Sequence, residues 1–253
     1  MSQEPSLSDI DVDEAIGEAA HEATEAIIAE GGAGDTRLAF LKKAGLTGGA
    51  VMGGGAVLSA LVPGAALAAG LDRPPVKVFG AGDVGILRYA LTLEYLESSF
   101  YNEATKNQRN NPFFHGTHAP QLRTFLRAVT DDENQHVKKL RGALGSKAQR
   151  RPLFHFHGDT ANQDRFMKSS FIFENTGVHA YSGQAFNISV QAVTKVALSI
   201  VTIEARHAAV IGLIRNGSTF GISPNNAFDT PLGAKAVLKG VDSLHYIKKL
   251  FPA

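Results

Sequence analysis

The chain has 253 residues, 44% of them apolar and 8% aromatic, enough to bury one substantial core or two small ones, so disordered, collagen-like and miniprotein readings are excluded. It contains no cysteine, which also excludes thiol catalysis, Cys-ligated zinc, iron–sulfur clusters and a disulfide framework; any metal has to sit on His and carboxylate. The net charge of +1 conceals an asymmetry, because residues 1–35 carry −10 while the stretch from Asp72 onward carries +8.

The acidic segment Asp9–Glu30 has Ala, Glu and Ile at helix-compatible spacing and reads as a solvated arm. Behind it, Thr36-Arg37-Leu38-Ala39-Phe40-Leu41-Lys42 resembles the twin-arginine export signal, with Leu38 where the second arginine belongs. Next come 28 uncharged residues, 44–71, long enough to cross a bilayer of about 20 helical residues. Gly48-Gly49-Ala50-Val51-Met52-Gly53-Gly54-Gly55 is weakly apolar, however, and Pro63-Gly64 interrupts the second half, so the composition suits a cleavable signal better than a permanent anchor. Ala66-Leu67-Ala68 supplies a small-residue cleavage site, and the mature chain is expected to begin near Ala69, outside the cytoplasm of a bacterium, after transient membrane contact. An uncleaved membrane anchor and a soluble Gly-rich linker are the alternatives for residues 1–70.

From Gly82 onward the apolar residues recur at intervals of three and four, which predicts helices. The first is expected over about Asp83–Asn107, with Asp83 as N-cap and Val84, Leu87, Leu91, Glu94, Glu97 and Tyr101 on one face. The second is expected over about Pro120–Leu144 on Leu122, Phe125, Val129, Glu133, His136, Leu140 and Leu144. The third, about Asn162–Asn187, carries Met167, Phe171, Glu174, Val178 and Tyr181, with Ile188 just beyond; the fourth, about Val190–Arg215, carries Val193, Ala197, Ile200, Glu204, His207, Ile211 and Ile214.

Short connections make helices one and two, and three and four, antiparallel neighbours. The middle connection, residues 145–161, has 17 residues. At about 3.3 Å each these outreach a helix of about 22 residues, some 33 Å long. A long crossover between two antiparallel pairs is the ferritin-like variant of the four-helix bundle, so residues 71–216 are expected to form an all-α domain of that kind. Residues 217–253 read as a loop-rich extension with one short helix near Leu232–Lys239.

After Asp72 there are six Glu, and five of them, Glu94, Glu97, Glu133, Glu174 and Glu204, interrupt an apolar stripe rather than decorating an outer face. With eight His in the same stretch, chance would produce about a quarter of one Glu-x-x-His at that composition. Two occur, Glu133-Asn134-Gln135-His136 and Glu204-Ala205-Arg206-His207. Residues i and i+3 share a helix face, so a Glu and a His can reach one ion while the second Glu oxygen reaches its neighbour. Carboxylate and imidazole together suit iron, manganese or zinc. A bundle interior holding these acids without cations would repel itself.

The sequence resembles the ferritin-like di-metal carboxylate superfamily, and within it the bacterial ferritin-like domain family that includes desiccation-related proteins. The resemblance rests on Leu93-Glu94-Tyr95-Leu96-Glu97-Ser98-Ser99-Phe100-Tyr101, Glu133-x-x-His136, Phe173-Glu174-Asn175-Thr176-Gly177-Val178-His179-Ala180-Tyr181 and Ile203-Glu204-Ala205-Arg206-His207. The tail segment Ala227-Phe228-Asp229-Thr230-Pro231-Leu232 is similar to the narrower family as well. The resemblance implies that Glu133 and Glu204 bridge two metals, that His136 and His207 each bind one, and that Glu94 and Glu174 cap them, with Glu97 as reserve ligand. It also implies a role in the chemistry for Tyr101, since a Tyr seven residues after the first-helix Glu is usual in ferritins.

His155-Phe156-His157 and His115-Gly116-Thr117-His118 lie in loops without a nearby Glu and read as packing or solvated histidines, and His179 points away from Glu174. The basic run Lys138, Lys139, Arg141, Lys147, Arg150 and Arg151 lacks interleaved aromatics and reads as a solvated face, so no nucleic acid is expected. Three functions are compatible with the resemblance. They are a di-iron centre oxidising Fe(II) with O2 or hydrogen peroxide, a dimanganese centre that disproportionates peroxide, and a stress-protection protein whose metals are structural. The first is preferred, because six ligands for two ions leave positions open for an oxidant. A homo-oligomer is compatible with any of them.

Overall fold

Apolar stripes at helical spacing cover their inner faces only by packing on one another, and the four stripes do so in the computed structural model, which describes residues 71–217 and 229–251. The acidic arm, the signal-like segment and residues 218–228, including Ala227 and Phe228 of the tail motif, lie outside them. Among the described residues a short α1 (Val76–Phe79) leads into four long helices, α2 (Gly82–Asn110), α3 (Ala119–Leu144), α4 (Gln163–Gln184) and α5 (Gln191–Asn216). The tail adds α6 (Ala234–Asp242). Helix α2 packs along α3 and α4 along α5, with α3 against α5 and α2 against α4 completing the bundle. This is the all-α architecture with a crossover that the loop lengths require.

Local chemistry sets the helix ends. Pro120 occupies the first turn of α3, where its missing N–H costs nothing. Asn162 caps α4 by accepting the Arg165 N–H at 3.0 Å. Gly217 closes α5 in a left-handed conformation, φ +63°. Asp83 departs from expectation: the N-cap of α2 is Ala81, and Asp83 sits in the first turn. Its carboxylate instead accepts the Ser189 and Val190 N–H groups, at 3.0 and 2.8 Å, and so serves the unpaired donors at the start of α5.

The crossover runs over the outer face of α2. Gln149 donates to Arg88 O at 2.6 Å and to Thr92 Oγ1 at 3.0 Å. Arg151 stacks over the Tyr95 ring at 4.6 Å, and Arg141 donates to the Tyr95 hydroxyl at 2.7 Å. Of these two exposed members of the basic run, Arg151 fastens the crossover to α2 and Arg141 ties α3 to α2, rather than forming a free charged face. As a result α2 is buried almost all round from Gly85 to Tyr101. A two-stranded antiparallel ribbon, β1 (Leu153–Phe154) with β2 (Ile247–Lys249), ties the tail to the crossover, a feature the sequence pattern did not announce. The tail also crosses α4, where Leu232 N–H donates to His179 O at 3.1 Å. There, an added Cβ on Gly183 would stand 1.8 Å from Leu232 O, so only glycine fits.

The core has two halves. One is aromatic, with Phe100, Phe125, Phe166 and Phe173; the other is aliphatic, with Leu91, Leu140, Val193 and Ile200. On each of the four helices the stripe Glu falls between the two, so the carboxylates form a layer across the middle of the bundle. The C-terminal ends of α3 and α4 both reach the aliphatic half. These two helices therefore run parallel, which only a long connection allows.

Candidate metal centre

Glu94 and Glu97 come from α2, Glu133 and His136 from α3, Glu174 from α4, and Glu204 and His207 from α5. Glu94, Glu133, Glu174 and Glu204 are fully buried and Glu97 is 3% exposed. The donors converge in two groups, Glu94/Glu133/His136/Glu204 and Glu133/Glu174/Glu204/His207, with the ligand atoms of each group within 4.8 Å of one another. Glu133 and Glu204 belong to both. His136 Nδ1 stands 3.2 Å from Glu94 Oε2, Glu133 Oε2 and Glu204 Oε1. His207 Nδ1 stands 3.1 Å from Glu174 Oε2 and 3.3 Å from Glu133 Oε1. Glu97 joins neither group, although it is buried beside both.

Two tyrosines brace the outer glutamates crosswise. The Tyr101 hydroxyl, from α2, donates to Glu174 Oε1 on α4, and the Tyr181 hydroxyl, from α4, donates to Glu94 Oε1 on α2 at 2.5 Å. Burial, with the adjacent carboxylate reinforcing it, pushes both phenols well above their ordinary range, so each remains a donor. The loop histidines His115, His118, His155 and His157 are exposed and belong to neither donor group, and His179 is half-buried on α4.

The ferritin-like domain family matches residues 82–216, more than half of the chain and all four bundle helices. The chain belongs to that family. No curated protein matches it.

The interior of this ferritin-like domain has the donor chemistry that cations require. Glu133 Oε1 and both oxygens of Glu204 are buried without a well-aligned hydrogen bond, although imidazole nitrogens stand 3.3 Å from Glu133 Oε1 and 3.2 Å from Glu204 Oε1, so lone pairs remain for a cation. Five acids face two imidazoles. Burial first, and then repulsion from Glu204, Glu133, Glu94 and Glu174, holds the Glu97 carboxyl well above the usual range. Glu204 is raised for the same reasons, and Glu133 is pushed up to about 7, chiefly by burial and by Glu94. For Glu94 burial is outweighed by the charge and hydrogen bond of His136, which leave it below the ordinary value. Burial would strip the imidazoles of their protons, but the carboxylates reverse this: His207 is pushed up to about 11 and His136 is raised as well. Protons thus take the place that divalent cations fit, and the cluster is compatible with a two-metal site.

The ferritin-like domain holds three further contributors that the sequence reading did not assign. Tyr181 follows Glu174 by the same seven residues that separate Tyr101 from Glu94, and that repeated spacing was its available signal. Asp132 Oδ2 lies 3.0 Å from His207 Nε2 and orients the ring, with no spacing rule to reveal it. Gly177 leaves the room that the Glu204 carboxylate fills: a Cβ there would stand 2.6 Å from Glu204 Oε2.

Proposed function

We propose that the domain holds two iron ions and oxidises Fe(II) with O2 or hydrogen peroxide. The observation that carries this reading is that two four-residue groups share Glu133 and Glu204, an arrangement that suits a pair of adjacent ions better than one. Glu94 with His136, and Glu174 with His207, would complete the two positions, and Tyr101 and Tyr181 hold the outer carboxylates in place. Two iron ions held there would contribute Lewis acidity and one electron each toward an oxidant. With O2, the two electrons and two protons yield hydrogen peroxide; with hydrogen peroxide they yield two waters. The buried layer keeps bulk water away from the centre, and the buried carboxyl of Glu97 lies beside it. The export-signal-like segment supports placing this activity outside the cytoplasm, where the reaction with hydrogen peroxide would limit peroxide damage.

The test is anaerobic loading with two Fe(II) per chain, followed by stopped-flow mixing with O2 and, separately, hydrogen peroxide. Ferric absorbance should rise faster than for free Fe(II) in buffer, and Glu174→Ala should abolish the acceleration. If iron loads but oxidises no faster than in buffer while the manganese form evolves O2 from peroxide, peroxide disproportionation replaces this reading. If neither form reacts and metal only raises the melting temperature, the site is structural.

A further inference from the structure

The two halves of the core pack differently. At the aromatic end Phe100 meets Phe173 edge-on and stacks on Phe166, with ring centroids 5.0 and 5.6 Å apart, and Phe125 meets Phe166 edge-on at 6.4 Å. At the other end the four helices leave an apolar cavity of about 20 Å³. Ala90 lies four residues before Glu94, Leu140 four after His136, Ala197 seven before Glu204, and Tyr181 seven after Glu174; all four line the cavity. At 1.5 Å per residue this sets it about 6–10 Å along the bundle axis from the donors. Every helix places it on the same side, and Tyr181 belongs to both, since its ring forms part of the wall and its hydroxyl bonds Glu94.

The wall offers almost nothing polar. Of the two other polar side chains that line it, Gln184 spends its amide on Asp72 O and on Asn187, each at 3.0 Å, and the Tyr89 hydroxyl is buried without a partner. A volume of this size admits about one water-sized molecule, and an apolar wall leaves such a space dry and receptive to apolar gas atoms such as xenon. Hydrogen peroxide entering it would give up hydrogen bonds to water that a single phenol does not replace. Dioxygen gives up none.

We infer that this cavity receives dioxygen and passes it to the carboxylate layer past Tyr181, so that O2 rather than peroxide is the oxidant served by this end of the bundle. The inference rests on the oxidase reading above. Ala197 is the place to close the cavity, because it lines the wall and takes no part in the donor groups. Crystals of the wild type pressurised with xenon should show one xenon atom between Ala90, Leu140 and Ala197, absent in Ala197→Phe. Across Ala197→Val, Ala197→Leu and Ala197→Phe the rate of Fe(II) oxidation by O2 should fall stepwise, by about tenfold at Phe, with iron content and the rate with hydrogen peroxide unchanged. Should the Phe variant fail to fold, the Val and Leu steps and the xenon site carry the test. An empty cavity under xenon, an O2 rate indifferent to the series, or equal losses with both oxidants overturns the inference while leaving the oxidase reading intact. A wild type inert to both oxidants overturns the oxidase reading itself.

Discussion

Tyr181 Oη donates to Glu94 Oε1 at 2.5 Å across the bundle, and Tyr101 donates to Glu174 in the opposite direction. The four helices are thus two copies of one device: a helix with Glu and, seven residues on, Tyr, followed by a helix with Glu-x-x-His. Each tyrosine steadies the carboxylate of the other copy, so neither half is complete alone. Replacing either phenol by Phe removes one buried hydrogen bond and frees one outer glutamate to turn. Tyr181→Phe and Tyr101→Phe should each weaken metal binding by about 10–100-fold with the helical circular dichroism unchanged. Calorimetric titration of the chelator-treated protein measures this, and wild-type affinity in both variants would show the braces to be idle.

The duplication is imperfect at the histidines. His207 Nε2 faces Asp132 at 3.0 Å, whereas the residue that precedes Glu204, in the position matching Asp132, is Ile203. A carboxylate behind a ligating imidazole fixes its tautomer and raises its basicity. The two metal positions should therefore differ. Asp132→Ala is expected to weaken one of two calorimetric binding steps by about tenfold and to leave the other alone; two steps weakened equally would refute the assignment.

Glycine at 177 is a matter of room rather than of backbone conformation. The carboxylate of Glu204 occupies the space where a side chain would begin, 2.6 Å from the position of a Cβ. Gly177→Ala gains helix propensity, yet it has to push Glu204 aside within a filled layer, a strain of about 1–3 kcal/mol. The expected outcome is lowered metal content together with a lowered melting temperature. A rise in both would mean that Glu204 relaxes freely.

Much of this was legible in the chain because the signals are local. Glu94, Glu133, Glu174 and Glu204 announce themselves by interrupting stripes that would otherwise be apolar, and the loop lengths leave one sensible order for the helices. What escaped depends on which distant residues meet. Asp83 looks like the cap of its own helix, but its carboxylate finds better-placed donors at Ser189 and Val190. The burial of α2 on all sides follows from a crossover held by Gln149 and Arg151, and the ribbon joins Leu153 to Lys249 through pairing that no periodicity encodes. Asp132 looks like a surface acid on a polar helix face until His207 arrives from α5.

The protons that hold the metal-free layer together give its stability a definite pH dependence. Glu133 rises from an ordinary value near 4.5 to about 7 on folding, and Glu97 and Glu204 are also raised, through burial and mutual repulsion. A raised group lends stability that is complete below its unfolded pKa and is lost as pH climbs through its folded one. For Glu133 that window runs from about 4.5 to about 7. His207, raised from 6.5 to about 11, extends the decline in the same direction above it. Glu94, which is lowered, acts in the opposite sense only at pH below the carboxylate range. The chelated protein should therefore melt at progressively lower temperature from pH 4.5 to 7.5. Divalent metal replaces those protons and is held more tightly as they leave, so the gap between the melting temperatures of loaded and chelated protein should widen over the same range. Scanning calorimetry of both forms measures that gap. A gap that stays constant or narrows with rising pH would mean that the carboxylate layer neither needs protons when empty nor exchanges them for cations.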